Sequence, residues 1–128
     1  MTREDTSSAV LSQVYHSLRA SRRRYLIQLL AETDEDHLSV RKCARHITAI
    51  EEEVQPEKAT GEPYRNTYNS LSQTHVPTLS DAGIILYDPD RQTVSSGPNM
   101  QFAMLIIAIN RATIQSLQDQ RLNDFEGL

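Results

Sequence analysis

The chain has 128 residues, 38% hydrophobic and 23% charged, with a net charge of −4. That length suits one domain with an appended helix, and the core must be aliphatic, since there is no Trp and only two Phe. No apolar run reaches the ~18 residues of a bilayer span, and MTREDTSSAV is too polar for a secretory leader, so a cytoplasmic protein with no membrane partner is expected.

Charge is distributed in clusters. Arg19, Arg22, Arg23 and Arg24 form one group and Arg41, Lys42 and Arg45 another, while acids gather at Asp34 to Asp36 and Glu51 to Glu53. Eleven of the 13 cations are Arg in an acidic chain. That balance suits a protein living in high salt, although GC-rich coding produces the same bias. The single Cys43 cannot form an internal disulfide and reads as a buried core thiol.

Residues 1–6 are expected to fray. Ser7 or Ser8 can cap a first helix carrying Ala9, Val10, Val14, Tyr15 and Leu18 at helical spacing. A break is expected at 17–20. The next helix follows the triplet Arg22-Arg23-Arg24 and carries Tyr25, Leu26, Leu29 and Leu30 on one stripe. Two readings of the triplet stand, a solvated helix face or a contact with a phosphate backbone. Thr33 to Asp36 is a polar connector, and His37-Leu38-Ser39 is a short strand that would complete a three-stranded sheet. Ser39 then caps a helix whose inner face is Val40, Ala44, Ile47 and Ile50.

Residues 51–63 hold no sustained apolar period and read as a long connection with one helical turn near Pro56 to Ala59. A helix starts near Pro63, a residue tolerated in the first turn. At 100° per residue its inward face is Tyr68, Leu71, Ser72, His75 and Leu79. The opposite face carries Asn66, Asn69, Ser70 and Gln73, with Arg65, Thr67 and Thr74 at its edges. Pro77 should kink or tighten its last turns, and Gly83 should end it. A hairpin follows, with strands Ile84 to Leu86 and Thr93 to Ser95 around Asp88 to Arg91. Gly97-Pro98 breaks the pattern, and Asn99 can cap a final helix. Phe102 to Ile109 is an unbroken run of eight apolar residues, so that helix is apolar all round for two turns. It is either a core helix or, the preferred reading, one packed on its own domain on one side and on a partner subunit on the other.

Helix, long connection, helix, Gly stop and hairpin, in that order, predict a mainly α fold with a small β-hairpin wing. This is a winged helix-turn-helix over 1–96, with a C-terminal dimerisation helix over 97–128. The helix 64–80 would enter the major groove and the wing 84–95 would lie on the backbone. His16, His37, His46 and His75 have no metal-ligand spacing, no Gly-rich phosphate loop is present, and no nucleophile has a base at a recognised spacing. No catalytic residue, metal or cofactor is therefore predicted, and an enzyme is not expected.

The segment YNSLSQTHVPTLSDAGIILYDPDRQTV resembles a family of small haloarchaeal winged helix-turn-helix transcription regulators. The residues that carry it are Tyr68, Leu71, Thr74-His75-Val76-Pro77, Leu79, Asp81-Ala82-Gly83, Ile84-Ile85 and Tyr87-Asp88, with Arg23 to Leu30 as a further match. It covers roughly 12–96 and implies the fold and a DNA-binding role, but no operator or effector.

The expected partners are double-stranded DNA and a second copy of the chain. Arg22, Arg23, Arg24, Arg65, Asn66, Asn69, Ser70, Gln73 and Arg91 would contact DNA. Phe102, Leu105, Ile106, Ile109, Ile114 and Leu117 would form the dimer interface. The rival reading is a winged protein-interaction module without DNA binding, which the negative net charge favours. A third is a repressor with a small-molecule pocket beside the C-terminal helix.

Overall fold

The computed structural model describes residues 3–126, with side chains described for 8–121. Helix α1 (Arg3–Ser17) leads through a break at Leu18 to Ala20 into α2 (Ser21–Glu32). A two-residue strand, β1 (Leu38–Ser39), runs directly into α3 (Val40–Glu52). After a 3-10 turn at Pro56–Lys58 comes α4 (Gly61–Ser70), which a π turn at Leu71–His75 joins to α5 (Val76–Asp81). The hairpin strands β2 (Ile85–Asp88) and β3 (Thr93–Ser96) precede the long α6 (Met100–Glu126). The fold is mainly helical, with one small antiparallel sheet in the order β1-β3-β2.

Local chemistry accounts for most boundaries. The Ser39 hydroxyl accepts from the Lys42 N–H at 3.0 Å, which satisfies one of the donors left open at the start of α3. At the end of α5 the Gly83 N–H donates to the Ser80 carbonyl and the Ile84 N–H to the Leu79 carbonyl, both at 3.0 Å. This paired arrangement needs a left-handed residue, and Gly83 supplies it at φ +70°. Leu79 and Ile84 then meet in the core, both fully buried. In the sheet, Leu38 pairs with Val94 and Tyr87 with Val94 from the other side. Ile85 is buried and the next residue, Leu86, is exposed, as the twofold alternation of a strand requires.

Several sequence expectations are corrected. No cap at Ser7 or Ser8 begins α1, because the helix already runs from Arg3; of the residues expected to fray, 1 and 2 lie outside those described. Ile50 is 48% exposed, not part of the inner face of α3. The connector folds back over the other side of the last turn, where Thr48, Ala49 and Ala59 are buried, and leaves Ile50 to solvent. In α4, Thr67 is buried with its hydroxyl bonded to the Pro63 carbonyl, so it does not border the outer face. Val76, which a constant helical period leaves off the inward face, is buried. The reason is the π turn: the Val76 N–H reaches back five residues to the Leu71 carbonyl, and the helix slips in phase. Pro77 lies just beyond, with no N–H of its own and a ring that crowds the carbonyl four residues back. The distortion at the proline is therefore a widened turn ahead of it, not a tightened one. The hairpin pairs through Asp88 and Thr93, leaving Pro89 to Gln92 as its loop. The Asn99 side chain turns back to donate to the Ala82 carbonyl at 2.9 Å, which ties the start of α6 to the end of α5.

One core unites these elements. Leu26, Ile27, Ile47, Leu71, Leu79, Ile84 and Val94 lie at its centre, and Met100, Ala103, Ile106 and Ile107 join the same cluster. The first two turns of α6 therefore share the core of 1–96. Among the described residues no helix is long and apolar enough to cross a membrane.

Candidate functional site

Arg41, Arg45 and Arg91 come together where α3, α4 and the hairpin loop meet. Val40, Cys43, Ala44 and Ile47 bury one side of α3, which turns Arg41 and Arg45, one helical turn apart, towards solvent. They line a cleft of about 560 Å³ with Lys42, Tyr64 and Tyr68. The two tyrosines stack, with ring centroids 6.2 Å apart and planes 29° from parallel. The Tyr68 hydroxyl donates to the Gln92 side-chain oxygen, and the Val40 N–H donates to the Gln92 carbonyl at 2.9 Å. These two bonds dock the hairpin loop against both helices. In the loop, the Asp88 carboxylate accepts from the Asp90 and Arg91 N–H groups, which fixes the turn. A second cleft follows along the same edge, lined by Ser39, Arg41, Asp90, Arg91 and Gln92. Arg41 faces both clefts, so Arg45, Arg41 and Arg91 form a strip interrupted by the single carboxylate of Asp90.

Helix α4 meets this strip through Tyr64 and Tyr68, and its outer face lies on the other side of the helix. Arg65, Asn66, Asn69 and Gln73 are exposed and Ser70 is half-buried. Among the described residues, Arg41, Arg45, Arg65 and Arg91 have no ion pair, whereas Lys42 bonds to Glu35 at 3.2 Å. The spacing of Arg41 and Arg45 was a visible signal, but sequence alone marks them only as part of a cationic cluster.

The arginine triplet of α2 is engaged elsewhere. Arg22 forms a two-pronged pair with Glu51 at 2.9–3.2 Å, tying α2 to the end of α3. Glu51 lies ten residues from Arg41, or about 15 Å along the helix. Arg24 donates to the Leu18 and Arg19 carbonyls at 2.7 and 3.0 Å, capping the turn after α1. Arg23 is half-buried with its Nε enclosed and unpartnered, and burial followed by the nearby Arg19 charge lowers its pKa. Of the two readings of the triplet, Arg22 and Arg24 follow neither: they hold elements together.

Two other reactive side chains are enclosed. Burial pushes the Cys43 thiol up to about 12, so it stays protonated and inert. His75 is half-buried with Nδ1 unpartnered; burial, then the Arg23 and Arg22 charges, lowers its pKa, against a smaller opposing effect of Glu51. Among the described residues no group of three His, Cys, Asp or Glu side chains is placed to hold a metal ion.

The predicted interface residues of α6 divide by position. Phe102, Leu105, Ile109, Ile114 and Leu117 are exposed, while Ile106 is 5% exposed and packs into the chain's own core. Ile114 lies about 140° around the helix from Ile109, so the exposed set occupies two sides of α6.

The chain belongs to a family described as a domain of unknown function (DUF7344), whose model matches residues 15–95. No curated protein shows significant similarity to it. No solved structure does either.

Proposed function

We propose that the chain is a winged helix-turn-helix regulator of transcription that binds double-stranded DNA. In this reading α3 and the α4–α5 helix form the helix pair, β2–β3 is the wing, and the outer face of α4 enters the major groove. The observation that carries it is the strip of Arg45, Arg41 and Arg91 along α3 and the hairpin loop, across a cleft from Tyr64 and Tyr68 of α4, with no carboxylate partners among the described residues. Cations without partners, aligned next to an exposed helix, suit a phosphate backbone running past that helix. Asn66, Asn69 and Gln73 have the paired donor and acceptor that match adenine, and Arg65 matches guanine or a phosphate. The resemblance carried by Thr74 to Leu79 and Asp81 to Gly83 points the same way. With it goes the expectation of a cytoplasm rich in salt, where counterion release contributes little and neutral base contacts contribute more.

The test is selection of bound fragments from genomic DNA by the tagged protein, followed by titration of the recovered sites. Recovery of a common site whose affinity drops with Arg65→Ala and Asn69→Ala is expected. Failure to recover any fragment, or indifference to both substitutions, would overturn the reading. The net charge of −4 and Asp90 within the strip favour the alternative of a winged module that binds a protein, and such a module would recover protein but no DNA.

A further inference from the structure

Residues 6–18, around α1, and 92–110, leading into α6, carry more apolar surface than the described residues cover. Between Thr6 and Leu18, and again between Gln92 and Asn110, there is no Asp, Glu, Lys or Arg, although 23% of all residues are charged. A helix that faces water along its outer side normally carries charge there. The stripe by which α1 enters the core, Val14 and Leu18, continues back along the helix to Val10 and Leu11, which are 36% and 40% exposed. Likewise the stripe Met100, Ala103 and Ile107 of α6 continues, past the exposed Arg111, to Ile114 and Leu117, both 56% exposed. On the far side of the packed turns of α6, Leu105 and Ile109 are 55% and 54% exposed. Together with Phe102, Met104 and Tyr15 these side chains expose on the order of 800 Å². Spread over the two helices, that area matches one partner's share of a standard interface, about 800 Å².

We propose that this surface pairs with the same surface of a second copy, the two α1 and two α6 helices forming a four-helix cluster around a twofold axis. The depletion of charge that marks the centre of an interface is present over residues 6–18 and 92–110, and a second copy offers the same uncharged segments in matching amount. A membrane surface is a poorer match, because a helix lying on lipid carries cations along its polar side and residues 92–110 have none. The interface adds α1 to the C-terminal helix and removes Ile106 from it. It does not depend on DNA binding.

Light scattering and sedimentation equilibrium on the full chain should give twice the 14.5 kDa of one copy, with a melting temperature that rises with protein concentration. Leu11→Glu in α1, and Ile109→Glu and Ile114→Glu in α6, lie at exposed positions and should keep native helicity. Each should weaken self-association about 30-fold or more. A monomeric wild type whose melting is independent of concentration overturns the proposal. So does a dimer indifferent to Leu11→Glu, or one indifferent to both α6 substitutions. The double substitution Arg41→Ala, Arg45→Ala should leave the mass unchanged, so loss of DNA binding and loss of pairing are read separately.

Discussion

Replacing Arg41 and Arg45 together by Ala removes two of the four exposed arginines that the proposed interface sets against phosphates, the others being Arg65 and Arg91; among the described residues none of the four has an ion pair. Each phosphate neutralised on duplex DNA contributes about −0.9 to the slope of log K against log salt. Four contacts predict a slope of roughly −3.6 for the wild type, and two predict roughly −1.8 for the double variant. A tenfold rise in salt should then weaken the wild type about 4,000-fold but the variant only about 60-fold. Both side chains project from a helix face opposite a buried one, so the fold should be retained, and circular dichroism checks that. The assay is fluorescence anisotropy on a labelled duplex over a salt series. Arg22→Ala is the internal comparison: it breaks the Glu51 pair and should lower stability, by about 0.5–1 kcal/mol, without changing the slope. A double variant that keeps the wild-type slope refutes the reasoning, as does an Arg22→Ala slope that falls by a full contact.

Three further outcomes are expected. Gly83→Ala forces a side chain to φ +70° and brings its Cβ to 2.8 Å from the Asn99 side-chain nitrogen that holds Ala82. Left-handed strain and a lost hydrogen bond together should cost about 2–3 kcal/mol in urea unfolding, and a loss within error of zero would contradict the capping geometry. Cys43 should react with a disulfide reagent only as fast as the native state opens, and rapid labelling of folded protein would refute its burial. His75 has a folded-state pKa below its ordinary 6.5, so the unfolded chain takes up the proton first as pH falls. The stability His75 contributes is therefore present above about pH 6.5 and is lost as pH drops from there towards the folded pKa. Urea midpoints at neutral and mildly acidic pH measure this, and a loss of the same size in His75→Gln would assign it to other groups.

Most element boundaries could be read from the sequence because they rest on short-range chemistry. Ser39 accepts from an N–H three residues on, Gly83 ends its helix by a backbone angle open to it, and Asp88 shapes its own turn. None of these needs a distant partner. The misplaced faces in α3 and α4 have non-local or cumulative causes. Ile50 faces water because the connector covers the other side of its turn, and Val76 turns inward because a widened turn ahead of Pro77 shifts the helical phase. Periodicity assumes a straight helix against a uniform surface, and neither condition holds there.

The candidate site divides in the same way. Sequence by itself determined that α4 carries uncharged amides opposite Leu71 and that arginines come in clusters, since both follow from residue identity and spacing. Only the tertiary structure decided which arginines stay available. A guanidinium is committed by whatever carboxylate or carbonyl the fold brings near it: Glu51, 29 residues away, for Arg22, and the end of α1 for Arg24. Arg41 and Arg45 escape such partners because their neighbours across the cleft are Tyr64 and Tyr68. The same holds for α6, whose apolar run is plain in the sequence. That Ile106 belongs to the core while Ile109 faces outward depends on where α1 and α2 pack against α6, and long-range packing alone sets that.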